Sequence, residues 1–347
     1  MIKLNKKKPK NKFSFKYFIF FFQLLLLDNL LINKCKIIHI IKRNIKYKLI
    51  KAYNNRKTHI NTLYMKGISR FGNYFISLNN AIIFCELFSC KRLIIENDFI
   101  NHRIFYQKYN LTIESNYSYN NFDNDLTIIN REFFYYQLNF TLLGKVNRFD
   151  IFKNEILNNL PKVKINFDDL YIYIRGGDIF SHLNASPLFC PDYYQPPLCF
   201  YRSVLRKFIF RKITIISENT LNPVIPILLK EYPKIKYNKN DIKLDLSYLA
   251  NSYNIISATS SFIVSIIKLN QNIKFLWEYD IYQLLEKYLH LHYSVYTFSF
   301  NYTIYKMNAS ENYKKLMYPF HFTEKQRQII IEEICDNKYH LIPPRIS

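Results

Sequence analysis

Very little of this chain is glycine, cysteine, methionine or tryptophan: 5, 6, 4 and 1 of its 347 residues. So few glycines and cysteines exclude collagen-like and small disulfide-scaffold classes, and the composition is not that of a coiled coil either. Acidic residues are also short, 26 against 49 Lys and Arg. Only one strongly apolar run exists, near the N-terminus, and mean hydropathy is −0.16. That excludes a polytopic membrane protein. Lys, Asn, Ile, Tyr and Phe are plentiful, an alphabet that AT-rich codons supply. Motifs built mainly from those residues therefore carry little information. With 49% hydrophobic and 18% aromatic residues, most of the chain is not intrinsically disordered. Its length allows two domains of ordinary size.

The formal net charge is +23, and it is unevenly spread. Residues 1–60 hold about 16 Lys and Arg against the single Asp28, leaving about +8 for the rest. A nucleic-acid-binding face would spread its charge over a folded surface. Here the excess flanks an apolar run, Tyr17 to Leu27, extended by Leu30, Leu31 and Ile32. Lys3, Lys6, Lys7, Lys8, Lys10, Lys12 and Lys16 precede it. Basic then apolar is the pattern of a secretory signal or an N-terminal anchor. The run offers about 16 apolar residues where about 20 span a bilayer, so its length suits either. No small-x-small cleavage site follows Leu27, which favours an uncleaved type II anchor. The expected location is the Golgi or endoplasmic reticulum membrane, single-pass, with the bulk of the chain lumenal; cleavage would make it secreted.

Six Asn-x-Ser/Thr sequons, at Asn110, Asn116, Asn139, Asn184, Asn301 and Asn308, are compatible with a glycoprotein, though an Asn-rich chain supplies nearly that many by composition. Cys35, Cys85, Cys90, Cys190, Cys199 and Cys335 allow three bridges of unspecified connectivity. No Cys or His spacing suggests zinc, and no metal site is expected.

Along the chain, Lys34 to Thr62 reads as a stem. Gly67 to Asn73 (GISRFGN) is a glycine-bearing loop, Tyr74 to Phe88 a helix, and Arg92 to Ile95 a strand. Residues 101–150 give no ordered reading. The second half alternates. Strands are expected at Leu170–Ile174, Ile213–Ile216, Asn254–Ser257 and Ile273–Trp277. Helices are expected at Leu198–Phe210, Asn222–Lys230, Ile242–Asn251 and Phe262–Leu269. Residues 181–197, with four prolines, form a loop. Such alternation predicts an α/β fold with a doubly wound parallel sheet. A helix is expected over Thr323 to Cys335 with Thr323 as its N-cap. His290 and His292 read as exposed or packed side chains without a metal partner.

Ligands of such sheets bind outside the carboxyl ends of the strands. Those ends carry Arg175 and Asp178, then Ser217 and Glu218, then Thr259, Ser260 and Ser261. A guanidinium suits a phosphate by charge and fork geometry. Hydroxyls and backbone N–H groups at a helix start suit an anion. The same residues also read as a polar turn and as helix caps, and Asp245 as an N-cap alone. Four of the five glycines, Gly67, Gly72, Gly176 and Gly177, sit in two loops, which suggests required backbone geometry there.

Tyr173-Ile174-Arg175-Gly176-Gly177-Asp178 resembles the H-x-R-R-x-D motif of the alpha-1,2/alpha-1,6/protein O-fucosyltransferase superfamily. Ser69-Arg70-Phe71-Gly72-Asn73 is similar to that family's G-R-F-G-N loop. Asp245 to Ser261 is similar to its third motif, an Asp followed by a helix, a strand and a Ser pair. The resemblance covers about residues 65–280. It implies a GT-B-like fold of two facing Rossmann-like domains, the sugar nucleotide held mainly by the C-terminal one. It divides the chain into tail and anchor (1–33), stem (34–62), N-terminal domain (63–160), nucleotide-sugar domain (161–290) and a C-terminal segment (291–347) returning to the N-terminal domain.

The resemblance implies inverting, metal-independent fucosyl transfer from GDP-fucose to a glycan or glycoprotein hydroxyl, in the service of protein glycosylation. Position by position, Arg175 would bind the donor β-phosphate, Asn73 the nucleotide, Asp245 the guanine or ribose, and Ser260 and Ser261 the pyrophosphate, while Asp178 would support the loop. Tyr173 stands where the motif has His, Gly176 where it has its second Arg, and Tyr74 where Gln is common. These departures leave another sugar nucleotide open as donor. His182 and Asp192, in the loop after Arg175, are the candidate general bases. The rival reading is a non-catalytic nucleotide- or glycan-binding relic of the same fold. A third, a basic RNA-binding or membrane-surface protein, rests on charge alone.

Overall fold

The computed structural model describes residues 61–66, 71–87, 89–96, 104–107, 110–115, 126–130, 149–180, 195–237, 239–258, 260–280, 301–317, 320–336 and 338–344. All of them lie in the unit Arg56–Ser347. The apolar run at Tyr17–Leu27, the expected stem up to residue 60, and His290 and His292 fall outside the described residues. No described helix is long and apolar enough to cross a membrane.

The fold is α/β, with eight α-helices and two mixed, mainly parallel sheets among the described residues. The first sheet contains β1 (Thr62–Lys66), β2 (Arg92–Ile95), β3 (Ile104–Tyr106), β4 (Leu111–Ser115) and β5 (Leu126–Asn130), in the order β3-β4-β2-β1-β5. Only β3 runs antiparallel to its neighbour. Helix α1 (Phe71–Leu87) follows β1, and α2 (Phe149–Asn158) leads out of this part of the chain. Four of the five residues of β1 are buried.

The second sheet is built by β6 (Asp169–Tyr173), α3 (Leu198–Lys207), β7 (Lys212–Ile216), α4 (Val224–Glu231), β8 (Ile235–Tyr237), α5 (Ile242–Asn251), β9 (Asn254–Ile256), α6 (Ser261–Leu269) and β10 (Phe275–Asp280). It continues through β11 (Thr303–Asn308), α7 (Glu311–Met317), α8 (Glu324–Glu332) and β12 (His340–Ile342). Its order is β12-β11-β10-β9-β6-β7-β8, parallel except for β12. All five residues of β6 are buried, as a strand covered on both faces requires. The chain winds outward from β6 to β8, then returns to lay β9 on the other side of β6. That reversal is the switch point of a doubly wound sheet.

Several boundaries differ from the sequence expectation. Helix α1 starts at Phe71 rather than Tyr74, because the Phe71 ring packs 4.1 Å from Phe75 and 5.7 Å from Phe262. Helix α3 stops at Lys207 rather than Phe210, and Phe208 and Phe210 turn onto Trp277 at 5.2 and 5.6 Å. Strand β10 starts at Phe275 rather than Ile273, since Asn270 Oδ1 accepts from the backbone N–H groups of Asn272 and Ile273 and holds them in a turn. The described part of the tail belongs to the second sheet instead of returning to the first. There β11 and β12 extend the sheet, Ile330 of α8 joins its core, and Cys335 is disulfide-bonded to Cys199 of α3. That core already holds Phe200, Tyr201, Trp277 and Tyr313, and burying α8 against it removes more apolar surface from water. Thr323 does cap α8, in a full capping box with Gln326. Of the other described cysteines, Cys85 and Cys90 are buried free thiols.

The two sheets meet through helices. Helix α1 of the first packs on α6 of the second, with Phe71 against Phe262 and Ser265 Oγ donating to the Gly72 carbonyl at 3.3 Å. The division expected near residue 160 thus marks a change of sheet within one unit.

Candidate functional site

The carboxyl ends of β6 and β9, on either side of the switch point, are where a doubly wound sheet opens a crevice. Strand β6 runs there into Ile174-Arg175-Gly176-Gly177, and β9 into Ser257-Ala258 and the Ser260 cap of α6. Arg175 is 8% exposed. Its Nη1 donates to Glu218 Oε1 at 2.8 Å, from the end of the neighbouring strand β7. Its backbone is fixed too, since Asn222 Nδ2 donates to the Arg175 carbonyl at 3.0 Å. Asn222 Oδ1 in turn accepts from Val224 N at 3.0 Å, so one buried amide ties the start of α4 to the Arg175 loop.

The glycine pair has a local cause. A Cβ on Gly176 would lie 2.8 Å from both Asn219 Oδ1 and Ser217 Oγ, and Gly177 has φ +69°. A Cβ on Gly177 would collide with Glu218 Oε2. The Ser217-Glu218-Asn219 turn lies directly against this loop, and Gly177 N donates to Asn219 Oδ1 at 3.2 Å. Gly177 opens a short 3-10 helix, Gly177–Phe180, that contains Asp178.

On the β9 side, Ser260 is 8% exposed and accepts from Phe262 N at 3.1 Å, as an N-cap does. Tyr173 Oη donates to the same Ser260 Oγ at 3.3 Å, bridging β6 and α6 across the switch point. Burial, the largest cause, raises the Tyr173 pKa, so the phenol stays a donor at neutral pH. With two donors on its oxygen, the Ser260 hydroxyl still has its own proton to donate. Tyr173 thus orients the Ser260 hydroxyl. Its ring also packs 5.1 Å from Phe262, which touches Phe71 of α1.

The structure therefore brings Arg175 and Ser260 to adjoining strand ends, with Tyr173 between them. Asn73 and Ser261 lie in the first turns of α1 and α6, two helices packed on each other. Asp245 lies in the first turn of α5, which follows the edge strand β8. It is not the N-cap: Asp241 is, accepting from Leu244 N at 2.9 Å. Asp245 is buried and accepts from Asn240 Nδ2 at 2.9 Å. Burial pushes its carboxyl up to about 6, partly opposed by that hydrogen bond and reinforced by Asp241. His182 and Asp192 lie outside the described residues. Among the described residues, no three His, Cys, Asp or Glu side chains are grouped to hold a metal ion.

In the sequence Glu218 has a strand-end position but no role, and nothing marks Asn219 and Asn222 as site residues. Their signal was position alone, since polar residues just past a buried strand sit at the crevice of a parallel sheet. In so Asn-rich a chain that signal is faint. No family model, curated protein or solved structure matches this chain.

Proposed function

We propose that this chain is a glycosyltransferase with a GT-B-like arrangement, transferring a sugar, fucose by the resemblance of its motifs, from a GDP-linked donor to a glycan or glycoprotein hydroxyl. One observation carries the reading: a buried guanidinium, Arg175, stands at the end of the strand beside the switch point, next to a serine-capped helix start. Anion binding at such a place needs no metal ligand, only the guanidinium fork, the Ser260 hydroxyl and the N–H groups opening α6. In the reaction the acceptor oxygen would attack the anomeric carbon while the bond from that carbon to the β-phosphate oxygen breaks. The electron pair leaves with GDP, and Arg175 sits where that charge develops. The acceptor proton would pass to a base, for which His182 and Asp192 remain the candidates. The expected setting is lumenal, behind the N-terminal anchor.

Thermal shift of the full chain with GDP, UDP, CMP and GDP-fucose tests this reading. A ligand that binds only the native state raises the melting temperature. The expected result is a GDP-selective rise, lost in Arg175→Ala, followed by turnover of GDP-fucose in an acceptor screen. GDP binding without turnover on any acceptor would favour the non-catalytic relic, which the substitutions Tyr173 for His and Gly176 for Arg suggest. No shift with any nucleotide from folded protein would overturn both.

A further inference from the structure

We propose that Glu218 is an internal counter-anion that occupies the phosphate position on Arg175 in the empty protein and is displaced when a diphosphate binds. The proposal rests on the donor-site reading above and concerns how that site is regulated.

Three observations carry it. First, the Arg175 side chain is 9% exposed and that of Glu218 is 41% exposed, with 2.8 Å between Nη1 and Oε1. The cation is fixed, held also through its backbone by Asn222, whereas the carboxylate reaches solvent. A buried charge is costly unless it is paired, so Arg175 needs an anion beside it. Either a carboxylate or a phosphate meets that need, and a phosphate offers two oxygens to the fork. Second, the Glu218 carboxylate lies over Gly177, close enough that a Cβ there would strike Oε2. A glycine loop that lets an anion approach the backbone is here filled by the chain's own carboxylate. Third, the neighbours Ser217 and Asn219 have structural bonds, Ser217 Oγ to the Asn219 carbonyl at 2.8 Å and Asn219 Oδ1 to Gly177 N and Leu221 N. The turn is anchored on both sides of Glu218, so its side chain can leave Arg175 without unravelling the loop.

Displacement gives the site a charge threshold. A ligand must outcompete one carboxylate, which a diphosphate does and a neutral nucleoside does not. Glu218 is therefore expected to weaken every nucleotide while favouring those with two phosphates.

The test is calorimetric titration of the full chain with GDP, and separately with inorganic pyrophosphate, for wild type, Glu218→Gln and Arg175→Gln. Glu218→Gln is expected to bind both ligands roughly tenfold tighter, the change that loss of one charge-assisted hydrogen bond represents. Arg175→Gln is expected to bind neither. Binding by Glu218→Gln alone, with none in wild type, would also support the proposal. Unchanged or weaker binding in a folded Glu218→Gln, with loss in Arg175→Gln, would overturn the counter-anion and leave the donor site standing. If neither wild type nor Glu218→Gln binds either ligand, the donor-site reading fails and this proposal with it. Should Glu218→Gln not fold, Glu218→Asp shortens the reach to Arg175, and the same gain is expected from it.

Discussion

Asn270 is a single buried side chain with four hydrogen bonds. Its Nδ2 donates to the Leu249 and Ser252 carbonyls at 2.7 and 2.8 Å, and its Oδ1 accepts from Asn272 N and Ile273 N. It closes the carboxyl end of α5 and aims the chain into β10. Replacing it by Ala takes their partner from the Ser252 carbonyl and the Asn272 and Ile273 N–H groups, while the Leu249 carbonyl keeps Ser252 Oγ, at about 1–3 kcal/mol per unsatisfied buried group. A urea melt of Asn270→Ala is expected to show a loss of at least about 2 kcal/mol. Asp245 offers a different measurement. Its carboxyl is pushed up to about 6 from an ordinary 3.8. Between those values the folded state keeps a proton that the unfolded state has released, so stability falls as pH rises through that window and stays lower above it. Asp245→Asn is expected to flatten that slope and to be more stable than wild type at about pH 7, read from thermal melts between about pH 4 and 7. Equal slopes for the two proteins would place the titration elsewhere.

At the level of elements, the disulfide Cys199–Cys335 joins α3 to the segment after α8 across a sequence separation of 136. Removing it frees a long loop in the unfolded chain, so Cys199→Ser is expected to cost about 2–5 kcal/mol in equilibrium unfolding. The glycine loop after β6 gives a second test. Gly177→Ala must adopt φ +69° and push Glu218 aside, and a loss of about 1–3 kcal/mol is expected. Alternation of strands and helices made β6, β7, β9 and α3 to α6 legible, and Arg92–Ile95 and Ile242–Asn251 fall where their periodicity puts them. Strand β8 is three residues long and β11 pairs in a tail whose Tyr and His residues blur any alternation, so neither stood out. The site was half legible. Arg175 and Ser260 follow from strand ends, whereas the Arg175–Glu218 pair and the Asn222 tie are tertiary contacts spanning 43 and 47 residues that no local pattern encodes.

Across the whole molecule, the two sheets are coupled where Phe262 touches both Phe71 of α1 and Tyr173 of β6. Truncating that ring removes contacts on both sides at once. Phe262→Ala is expected to lose about 1–3 kcal/mol and to broaden or split the calorimetric transition, since the sheets would no longer melt together. A single sharp transition would show that other α1–α6 contacts suffice.

Among the described residues, three of the four sheet edges are strands of only three residues: β3 in the first sheet, β8 and β12 in the second. A short edge presents few unpaired N–H and C=O groups to a passing chain. With 30 Tyr and 30 Phe in its composition, this sequence is drawn from residues that favour runaway strand addition. Short edges limit the template such an alphabet could extend, and lengthening β8 or β12 by a few β-branched residues is expected to raise aggregation, read by light scattering of the folded protein.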